Sequence, residues 1–292
     1  MLPDELKKSV ESLLSAKIGM DVLITESKAI GGGCINEAFT LKTTAGKFFI
    51  KYNSALAFPF MFEREAEGLK ILANTNTIAI PEIIGTSETG KTAYLIIKFI
   101  ESGTRGRGFW TDFGTKLANL HRNTIDYFGL DTDNYIGSRV QSNKKHQDFI
   151  EFFIEERIEP QLEKARNKGE FSQSDTRYFN SLYKSLHNIF PFEKPALIHG
   201  DLWSGNFMIT NDGSPCLIDP AVYYGHREAD IAMTQLFGGF QPEFYHAYNL
   251  EWPMEKDWQK RIDIFNLYPL LVHVNLFGGS YASQVMRIIR QF

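Results

Sequence analysis

The stretch LIHGDLWSGNF, residues 197–207, interrupts an otherwise helical pattern and limits the folds that this chain can adopt. It places Asp201 on a predicted loop between short apolar runs, and Asn206 follows five residues later. Asp219 ends another apolar run, thirteen residues beyond Asn206. Two carboxylates and an amide oxygen form a hard, oxygen-only ligand set, which suits Mg²⁺ better than zinc or iron. We therefore expect part of this set to ligate metal, while the remaining aspartate accepts a proton.

The first hundred residues contain features that complement this set. The run GGGCIN, residues 31–36, joins two predicted strands, and its glycines would let backbone N–H groups approach an anion closely. Lys51 lies in the predicted strand FIKYN, where its ammonium group could neutralise phosphate charge, and Glu65 on a predicted helix could hold it. A glycine loop, a strand lysine, a helix glutamate and then Asp, Asn and Asp is the order of parts in kinase-type phosphoryl transfer.

Each of these signals has a plainer interpretation when it is taken alone. Glycine-rich connections between strands are commonly turns, and a lone lysine in a strand is commonly a solvated side chain at the sheet edge. Glu63 and Glu67 share the helix with Glu65, which we prefer because it precedes the apolar part of the helix by four residues. The ordered combination, rather than any single residue, favours kinase chemistry.

The two cysteines and the histidine of the motif receive separate predictions. Two cysteines are too few for a disulfide framework, which favours a reducing cytoplasm. Cys216 is predicted to be a small buried apolar residue, whereas Cys34, in the glycine run, would be exposed and could act as a redox thiol. For His199 we prefer structural hydrogen bonds to a role as catalytic base.

Charge and hydropathy argue against several classes of protein. A net charge of -4 disfavours a dedicated nucleic-acid binder. No run approaches the roughly eighteen apolar residues that a membrane-spanning helix needs. The N-terminal stretch MLPDELKKSVESLL is charged and amphipathic, unlike a signal peptide, and predicts a short helix. We therefore expect a cytoplasmic protein that binds neither nucleic acid nor membrane.

Strand and helix patterns divide the chain into two parts. The stretches DVLITESKAI, NEAFTLKTT, KFFIKYN and TAYLIIKFI predict strands, and residues 57–73 predict a helix that starts past Pro59. Helical patterns dominate after the small-residue run ESGTRG, where we place the boundary. The expected organisation is an α+β protein with a sheet-rich lobe over residues 1–100 and a larger, mostly helical lobe over residues 101–292.

The block HGDLWSGN, followed by IDPAVYYGHREADIAMTQLFGGF, resembles the fructosamine kinase family, also called ketosamine-3-kinases. The stretches GGGCINEAF, MFEREAEGL, DNYIGSRVQSN and YPLLVHVNLFGGSY resemble the same family. The resemblance implies a two-lobed, protein-kinase-like fold in which an antiparallel-sheet lobe precedes a larger helical lobe. It also implies ATP- and Mg²⁺-dependent phosphorylation of the 3-hydroxyl of ketoamines, free or on protein lysines. The resulting 3-phosphates are unstable and release the amine, so the implied role is deglycation.

The resemblance also assigns a role to each candidate residue. Asp201 matches the catalytic base, Asn206 and Asp219 match the metal ligands, and Asp230 matches a residue that braces the catalytic loop. The positions that match nucleotide-binding residues are Gly31, Gly32, Gly33, Cys34, Ile35, Asn36, Lys51, Glu65, Lys98, Phe99 and Ile100. Among these, Lys98 stands where relatives often have glutamate.

Other interpretations stay open at this point. Another small-molecule kinase, of the aminoglycoside or choline kinase type, is disfavoured by Trp203, because those kinases often have histidine there. A catalytically silent nucleotide-binding module is the alternative outside enzymes. Trp203, Tyr223 and Tyr224 could form a wall that stacks on sugar, or could pack in the core. The chain could be a monomer or a homodimer, including one linked through Cys34.

Overall fold

A computed structural model of the chain describes residues 2–31 and 35–292. Its contacts divide the chain into two compact units. The first unit comprises Met1–Gly106 and Met208–Asp219, and the second comprises Arg107–Phe207 and Pro220–Phe292.

Helices and strands are numbered in chain order. The elements up to residue 106 are α1 (Asp4–Ile18), β1 (Ile24–Ile30), β2 (Glu37–Thr43), β3 (Gly46–Ser54), α2 (Met61–Asn74), β4 (Ile83–Thr89) and β5 (Thr92–Lys98). The later ones are α3 (Phe109–His121), β6 (Asn134–Ile136), β7 (Arg139–Gln141), α4 (Phe149–Phe152), α5 (Glu159–Asn167), α6 (Thr176–Ile189), β8 (Ala196–Ile198), β9 (Phe207–Ile209), β10 (Pro215–Leu217), β11 (Tyr223–Gly225), α7 (Glu228–Leu236), α8 (Pro242–Glu251), α9 (Ile262–Phe265), α10 (Leu267–Phe277) and α11 (Ser280–Ile289). A π-helical turn, Phe153–Ile158, separates α4 from α5.

The first unit is built on a five-stranded antiparallel sheet with the strand order β1-β2-β3-β5-β4. The long apolar run TAYLIIKFI contains β5, and burial of both faces of this strand explains its composition. Leu95 and Ile97 pack with α2 on one face of the sheet, while Tyr94 and Ile96 pack with α1 on the other. Because side chains of a strand alternate between faces, a strand covered on both faces is apolar throughout.

The two helices of this unit agree closely with their predicted patterns. In α1, Leu6, Val10 and Leu14 form the buried stripe. The helix predicted past Pro59 within residues 57–73 starts at Met61, since Phe60 adopts a left-handed backbone with φ 59°. A left-handed residue cannot continue an α-helix, so the chain turns there before the apolar stripe of α2 begins.

Residues 208–219 join the first unit through backbone pairing. The strands β9 and β10 form a hairpin around the predicted turn NDGS, in which Gly213 N–H donates to the Thr210 carbonyl at 2.9 Å. Gly103 N–H donates to the Ile209 carbonyl, and Leu217 N–H donates to the carbonyl of residue 79, both at 2.9 Å. These bonds join a segment late in the chain to residues that precede it by about a hundred positions or more.

The second unit is mostly helical. Its main core is formed by apolar side chains of α5, α6, α10 and α11, among them Leu162, Leu186, Leu271 and Ile289. Helices α3 and α8 approach closely at Gly114, where a Cβ atom would lie 2.2 Å from the Phe244 carbonyl oxygen. Among the helices of the described residues, none is long and apolar enough to cross a membrane.

Candidate active site

In the first unit, Lys51 lies at the centre of a buried ionic cluster. Its position on β3, between neighbouring strands, leaves its side chain 9% exposed. The Nζ atom donates to Glu65 Oε1 at 2.8 Å and also donates to Asp219 Oδ1. Glu67 pairs instead with Arg64, at 2.7 Å. The structure thus joins three of the residues singled out in the sequence, two of them more than 150 positions apart.

The charges in this cluster do not balance, since one ammonium group faces two carboxylates. Burial disfavours the ammonium form, but the carboxylates of Asp219 and Glu65 outweigh it and raise the pKa of Lys51. Burial, with repulsion from Asp219, raises the pKa of Glu65 despite the attraction of Lys51. A cluster with excess negative charge is a favourable place for a metal cation or for a rearrangement in which lysine turns to a phosphate.

The backbone of Asp219 is strained. It adopts a left-handed conformation with φ 56°, which few non-glycine residues adopt, and Pro220 follows it. A residue before proline normally prefers an extended backbone, so this conformation carries a double cost. The side chain remains 44% exposed even though it reaches the buried Lys51. Strain that presents an exposed carboxylate is typical of a functional position.

In the second unit, Asp201 and Asn206 are bonded to each other. The Asn206 amide nitrogen Nδ2 donates to the Asp201 carboxylate at 2.9 Å and to its backbone carbonyl at 2.8 Å. The Asn206 N–H donates to the Trp203 carbonyl at 3.0 Å, which closes the loop. Since the amide nitrogen is committed to Asp201, the Oδ1 oxygen is the Asn206 atom available in chemical terms to ligate a cation.

Asp230 braces the loop that carries Asp201. Its buried carboxylate accepts the N–H groups of His199, at 2.7 Å, and Gly200, at 2.9 Å, and pairs with His121 Nε2 at 3.1 Å. Burial disfavours the charged carboxylate, but the bond and charge of His121 and the loop N–H groups lower the pKa of Asp230. His121 in turn contacts the Tyr248 hydroxyl at 2.8 Å. The family resemblance singled out Asp230, but sequence reasoning missed these two partners, His121 and Tyr248, which come from distant helices.

His199 and Gly200 serve the backbone of this loop. The His199 ring accepts the Asp201 N–H at 3.3 Å, which agrees with the structural hydrogen bonds that we predicted for it. Gly200 has φ 82°, and a Cβ atom there would lie 2.1 Å from the Ala221 carbonyl oxygen. The tight packing requires glycine at position 200 and leaves Asp201 as the first side chain beyond it.

The remaining predicted nucleotide positions lie in the first unit. Ile35 and Asn36 are held by Asn53, whose Nδ2 donates to the Ile35 carbonyl at 2.8 Å and to Asn36 Oδ1 at 2.9 Å. Lys98 ends β5, and Phe99 follows, with its N–H donating to a carbonyl of β3. Gly31 and Ile100 are also within the described residues but have no regular secondary structure, whereas Gly32, Gly33 and Cys34 lie outside them. The nucleotide roles of all these residues stay predictions.

The aromatic candidates differ in environment. Tyr223 is buried and stacks against the Arg157 guanidinium at 3.9 Å, which is a packing role. Tyr224 is half-buried on β11, and Trp203 is half-exposed, with its ring edge-on to Phe237 at 5.9 Å. Cys216 is buried, as predicted, and burial raises the pKa of its thiol to about 12, which makes it unreactive.

Comparison with known proteins connects this geometry to a family. The sequence model of the fructosamine kinase family matches residues 6–292. A probable ketoamine kinase of Enterococcus faecium is 41% identical over 263 residues, covering 89% of this chain and 93% of that protein. A chloroplastic protein-ribulosamine 3-kinase of Arabidopsis thaliana is 40% identical over 283 residues, covering 94% of this chain and 84% of that protein. The chain belongs to the fructosamine kinase family.

Solved structures support membership of the fructosamine kinase family and confirm the predicted fold class. A protein from Haemophilus somnus, assigned as a fructosamine-3-kinase, matches with a TM-score of 0.88 and 30% identity, covering 97% of this chain and 96% of that one. One from Thermobifida fusca matches with a TM-score of 0.86, 31% identity and 97% coverage of both. A spectinomycin phosphotransferase, at 15% identity and a TM-score of 0.60, shares the fold. The α+β, protein-kinase-like fold is therefore established.

Proposed function

We propose that this fructosamine kinase family member transfers a phosphoryl group from ATP to the 3-hydroxyl of ketoamines. The observation that carries the proposal is the pair of bonded sets: Lys51 with Glu65 and Asp219, and Asp201 with Asn206. These are the residue types, in the chain order, that kinase-type phosphoryl transfer requires. Relatives named ketoamine kinase and protein-ribulosamine 3-kinase support ketoamines as the acceptor class.

The residues present fit a magnesium ion. Asp219 offers an exposed carboxylate from a strained backbone, and Asn206 offers Oδ1 because its nitrogen is bonded to Asp201. Both are oxygen ligands, and Mg²⁺ is commonly bound by one or two such side chains together with water and phosphate oxygens. When bound, the ion would neutralise charge on the terminal phosphates of ATP.

The chain's own side chains would act as follows. Lys51, held by Glu65, would place its ammonium group against phosphate oxygens, and residues 31–36 would offer backbone N–H groups to the same anion. Asp201 would orient the ketoamine 3-hydroxyl and accept its proton. Asn206, by donating to the Asp201 carboxylate, would fix the direction in which that carboxylate points. In a loose transition state these positioning and electrostatic effects dominate over strong base catalysis.

The domain roles follow from this assignment. We assign nucleotide binding to the N-terminal lobe over residues 1–100 and the catalytic loop and substrate site to residues 101–292. Trp203, half-exposed two residues from Asp201, is the aromatic side chain best placed in sequence to contact the sugar. A cytoplasmic location agrees with the low cysteine content, and substrates would be small ketoamines or glycated proteins.

The experiment that tests the proposal is ADP release with Mg-ATP and four acceptors offered separately: fructosyl-lysine, ribulosyl-lysine, choline and an aminoglycoside. Turnover confined to the ketoamines is expected. Asp201→Asn should lower kcat by roughly 10²–10⁴-fold with ATP binding retained, and equal turnover by that variant would remove Asp201 from its role. Chelation of Mg²⁺ should abolish turnover. Activity only on choline or the aminoglycoside would replace the substrate class, and tight ATP binding without any turnover would indicate a binding module.

Oligomeric state is a separate part of the proposal. The chain would be a monomer or a homodimer, and Cys34 could link two copies under oxidation. Reducing and non-reducing gels of wild type and Cys34→Ala, after mild oxidation, test the link. A dimer band that persists in Cys34→Ala, or the absence of any dimer in wild type, would argue against it.

A further inference from the structure

The motif DNYIGSRVQSN, residues 133–143, carries part of the family resemblance but has no role in the mechanism above. It folds into the β6–β7 hairpin, in which Asn134 lies opposite Gln141. Three side-chain amides of the motif are almost fully buried: Asn134, Gln141 and Asn143. Buried amides are costly unless they are hydrogen-bonded, so the partners of these three side chains indicate what the motif does.

Gln141 uses every polar atom of its side chain. Its Nε2 donates to the Ala221 carbonyl at 3.1 Å and to Asn134 Oδ1 at 2.7 Å. Its Oε1 accepts the Tyr268 hydroxyl at 2.8 Å. Asn134 then donates from Nδ2 to the carbonyl of Val222 at 2.8 Å. Two consecutive carbonyls after Pro220 are therefore held by two side-chain amides of the hairpin.

This held backbone contacts the loop that carries Asp201. The Ala221 N–H donates to the His199 carbonyl at 2.9 Å. The Ala221 carbonyl, which Gln141 binds, occupies the space where a side chain at Gly200 would be. The peptide unit between His199 and Gly200 is therefore in contact with both the N–H and the carbonyl group of Ala221.

The loop is bonded on its other side by Asp230, which accepts the N–H groups of His199 and Gly200. Those bonds hold the N–H groups of the loop, whereas the carbonyl of His199 needs a donor from another residue. Ala221 is the residue that binds this carbonyl. Separate elements therefore bind the N–H donors and the carbonyl acceptor of the His199–Gly200 segment, which lies immediately before Asp201.

Further buried hydrogen bonds stabilise the β6–β7 hairpin itself. Asn143 donates from Nδ2 to Asn134 Oδ1 at 3.0 Å, and its Oδ1 accepts Arg157 Nη2 at 2.7 Å. Arg157 is buried, donates to the Ser142 carbonyl and lies 3.9 Å over the Tyr223 ring. It belongs to the π-helical turn Phe153–Ile158, a rare backbone form that is frequent at functional sites. Asn143 supports the network without touching Ala221 or Val222 directly.

From these contacts we propose that Gln141 is a positioning residue for the reaction. It acts through Ala221 and the His199–Gly200 peptide, and it holds the backbone that aims the Asp201 carboxylate. The inference rests on the proposed function, since it takes Asp201 as the group that orients the acceptor hydroxyl. A displacement of about 1 Å at such a group lowers rates by about 100-fold. Binding of ATP, in contrast, does not depend on this loop contact.

The decisive variant is Gln141→Glu, which keeps the size of the side chain but removes both N–H donors. Its kcat should fall by about 10- to 100-fold, while the KM values for ATP and ketoamine stay within about twofold of wild type. The matched control is Asn143→Asp, a buried amide of the same network that does not touch Ala221. It should lower the melting temperature as Gln141→Glu does and leave kcat within about twofold. Both are assayed where circular dichroism shows them folded.

Tyr268→Phe is the second variant, because it removes the hydroxyl bonded to Gln141 Oε1 while both Nε2 bonds remain possible. It should lower kcat by about two- to fivefold, and it decides the question if Gln141→Glu does not fold. Equal loss of kcat in the Gln141 and Asn143 variants would show a purely structural network. Unchanged kcat in Gln141→Glu, or in Tyr268→Phe alone, would also overturn the proposal. If wild type phosphorylates only a non-ketoamine acceptor, the substrate assignment fails, and the same comparison of variants is made on that acceptor.

Discussion

Replacement of Lys51 by methionine tests the electrostatics of the ionic cluster in the first unit. Methionine has a similar length, so the change removes the charge with little change in packing. It leaves the Glu65 carboxylate, whose side chain is only 13% exposed, next to the Asp219 carboxylate without the ammonium group that both now contact. A buried charge that has lost its partner is strongly destabilising.

The size of the effect follows from the geometry. Opposite charges 2.8 Å apart attract by about 6 kcal/mol at an effective dielectric constant of about 20. Desolvation of both groups offsets part of this, and loss of one partner of a buried pair typically costs about 3–5 kcal/mol. Since Glu65 can escape by binding a proton, we expect Lys51→Met to lose about 3 kcal/mol of unfolding free energy near pH 7.5.

The loss should depend on pH with a definite sign. Burial and Asp219 raise the pKa of Glu65 in the folded state above its ordinary value. A carboxyl group with a raised folded pKa binds more protons folded than unfolded, so its destabilisation is absent at low pH and appears as the pH rises through the folded pKa. Without Lys51 that pKa rises further. The deficit of Lys51→Met relative to wild type should therefore shrink when the pH is lowered from about 8 to 5.

A double-mutant cycle separates the pair from its surroundings. Glu65→Gln keeps an oxygen acceptor for Lys51 and leaves Asp219 in contact with it, so it should cost only about 1 kcal/mol. The double variant Lys51→Met, Glu65→Gln removes both charges and should cost less than the sum of the single changes, with a coupling of about 2 kcal/mol. Urea unfolding followed by circular dichroism measures all four proteins. Additive losses within about 0.5 kcal/mol, or a deficit independent of pH, would refute the reasoning.

Three further outcomes follow from single contacts. Asn53→Ala removes the donor to Asn36 and should raise KM for ATP about three- to tenfold with kcat nearly unchanged; an altered kcat alone would contradict it. Gly200→Ala places a methyl group 2.1 Å from the Ala221 carbonyl oxygen and should lower kcat at least about 100-fold; full activity would show that the loop tolerates displacement. Burial lowers the pKa of His226 to about 4. The unfolding free energy should therefore fall as the pH is lowered from about 6.5 to 4, by up to about 1.4 kcal/mol per pH unit. Replacement of the ring in His226→Gln should flatten that slope.

Local sequence patterns predicted α1, α2 and four of the five strands of the sheet in the first unit, but not β4 (Ile83–Thr89). The stripe of α1 and the two-faced apolar run of β5 follow from side-chain periodicity, which is a property of neighbouring residues. The preference for Glu65 over Glu63 also agrees with the bond to Lys51, since the buried face of α2 is set by its helical repeat. The start of α2 at Met61 agrees with the prediction of a helix past Pro59, although the left-handed turn at Phe60 has no glycine or asparagine to signal it.

The support of the catalytic loop could not be predicted in this way. His121 lies 109 positions before Asp230, and Gln141 lies 80 positions before Ala221. An isolated histidine or glutamine has no local signature of a buried hydrogen bond. Burial of a polar side chain is decided by tertiary packing, and only the finished fold shows which partner satisfies it. Apart from Asp230, which the family resemblance marked, sequence reasoning therefore finds the residues with chemistry of their own and misses those that act through another residue.

The spacing that first marked the motif also has a physical reason that only the structure shows. Asn206 and Asp219 are close in sequence, yet they belong to different units. Between them the chain forms the β9–β10 hairpin, and backbone bonds from Gly103 and Leu217 join that hairpin to the first unit. The pairing brings Asp219 to Lys51, which a linear motif cannot specify. Thirteen residues are thus enough for the chain to leave the loop of Asn206, complete a hairpin and deliver the second acidic group to the lysine.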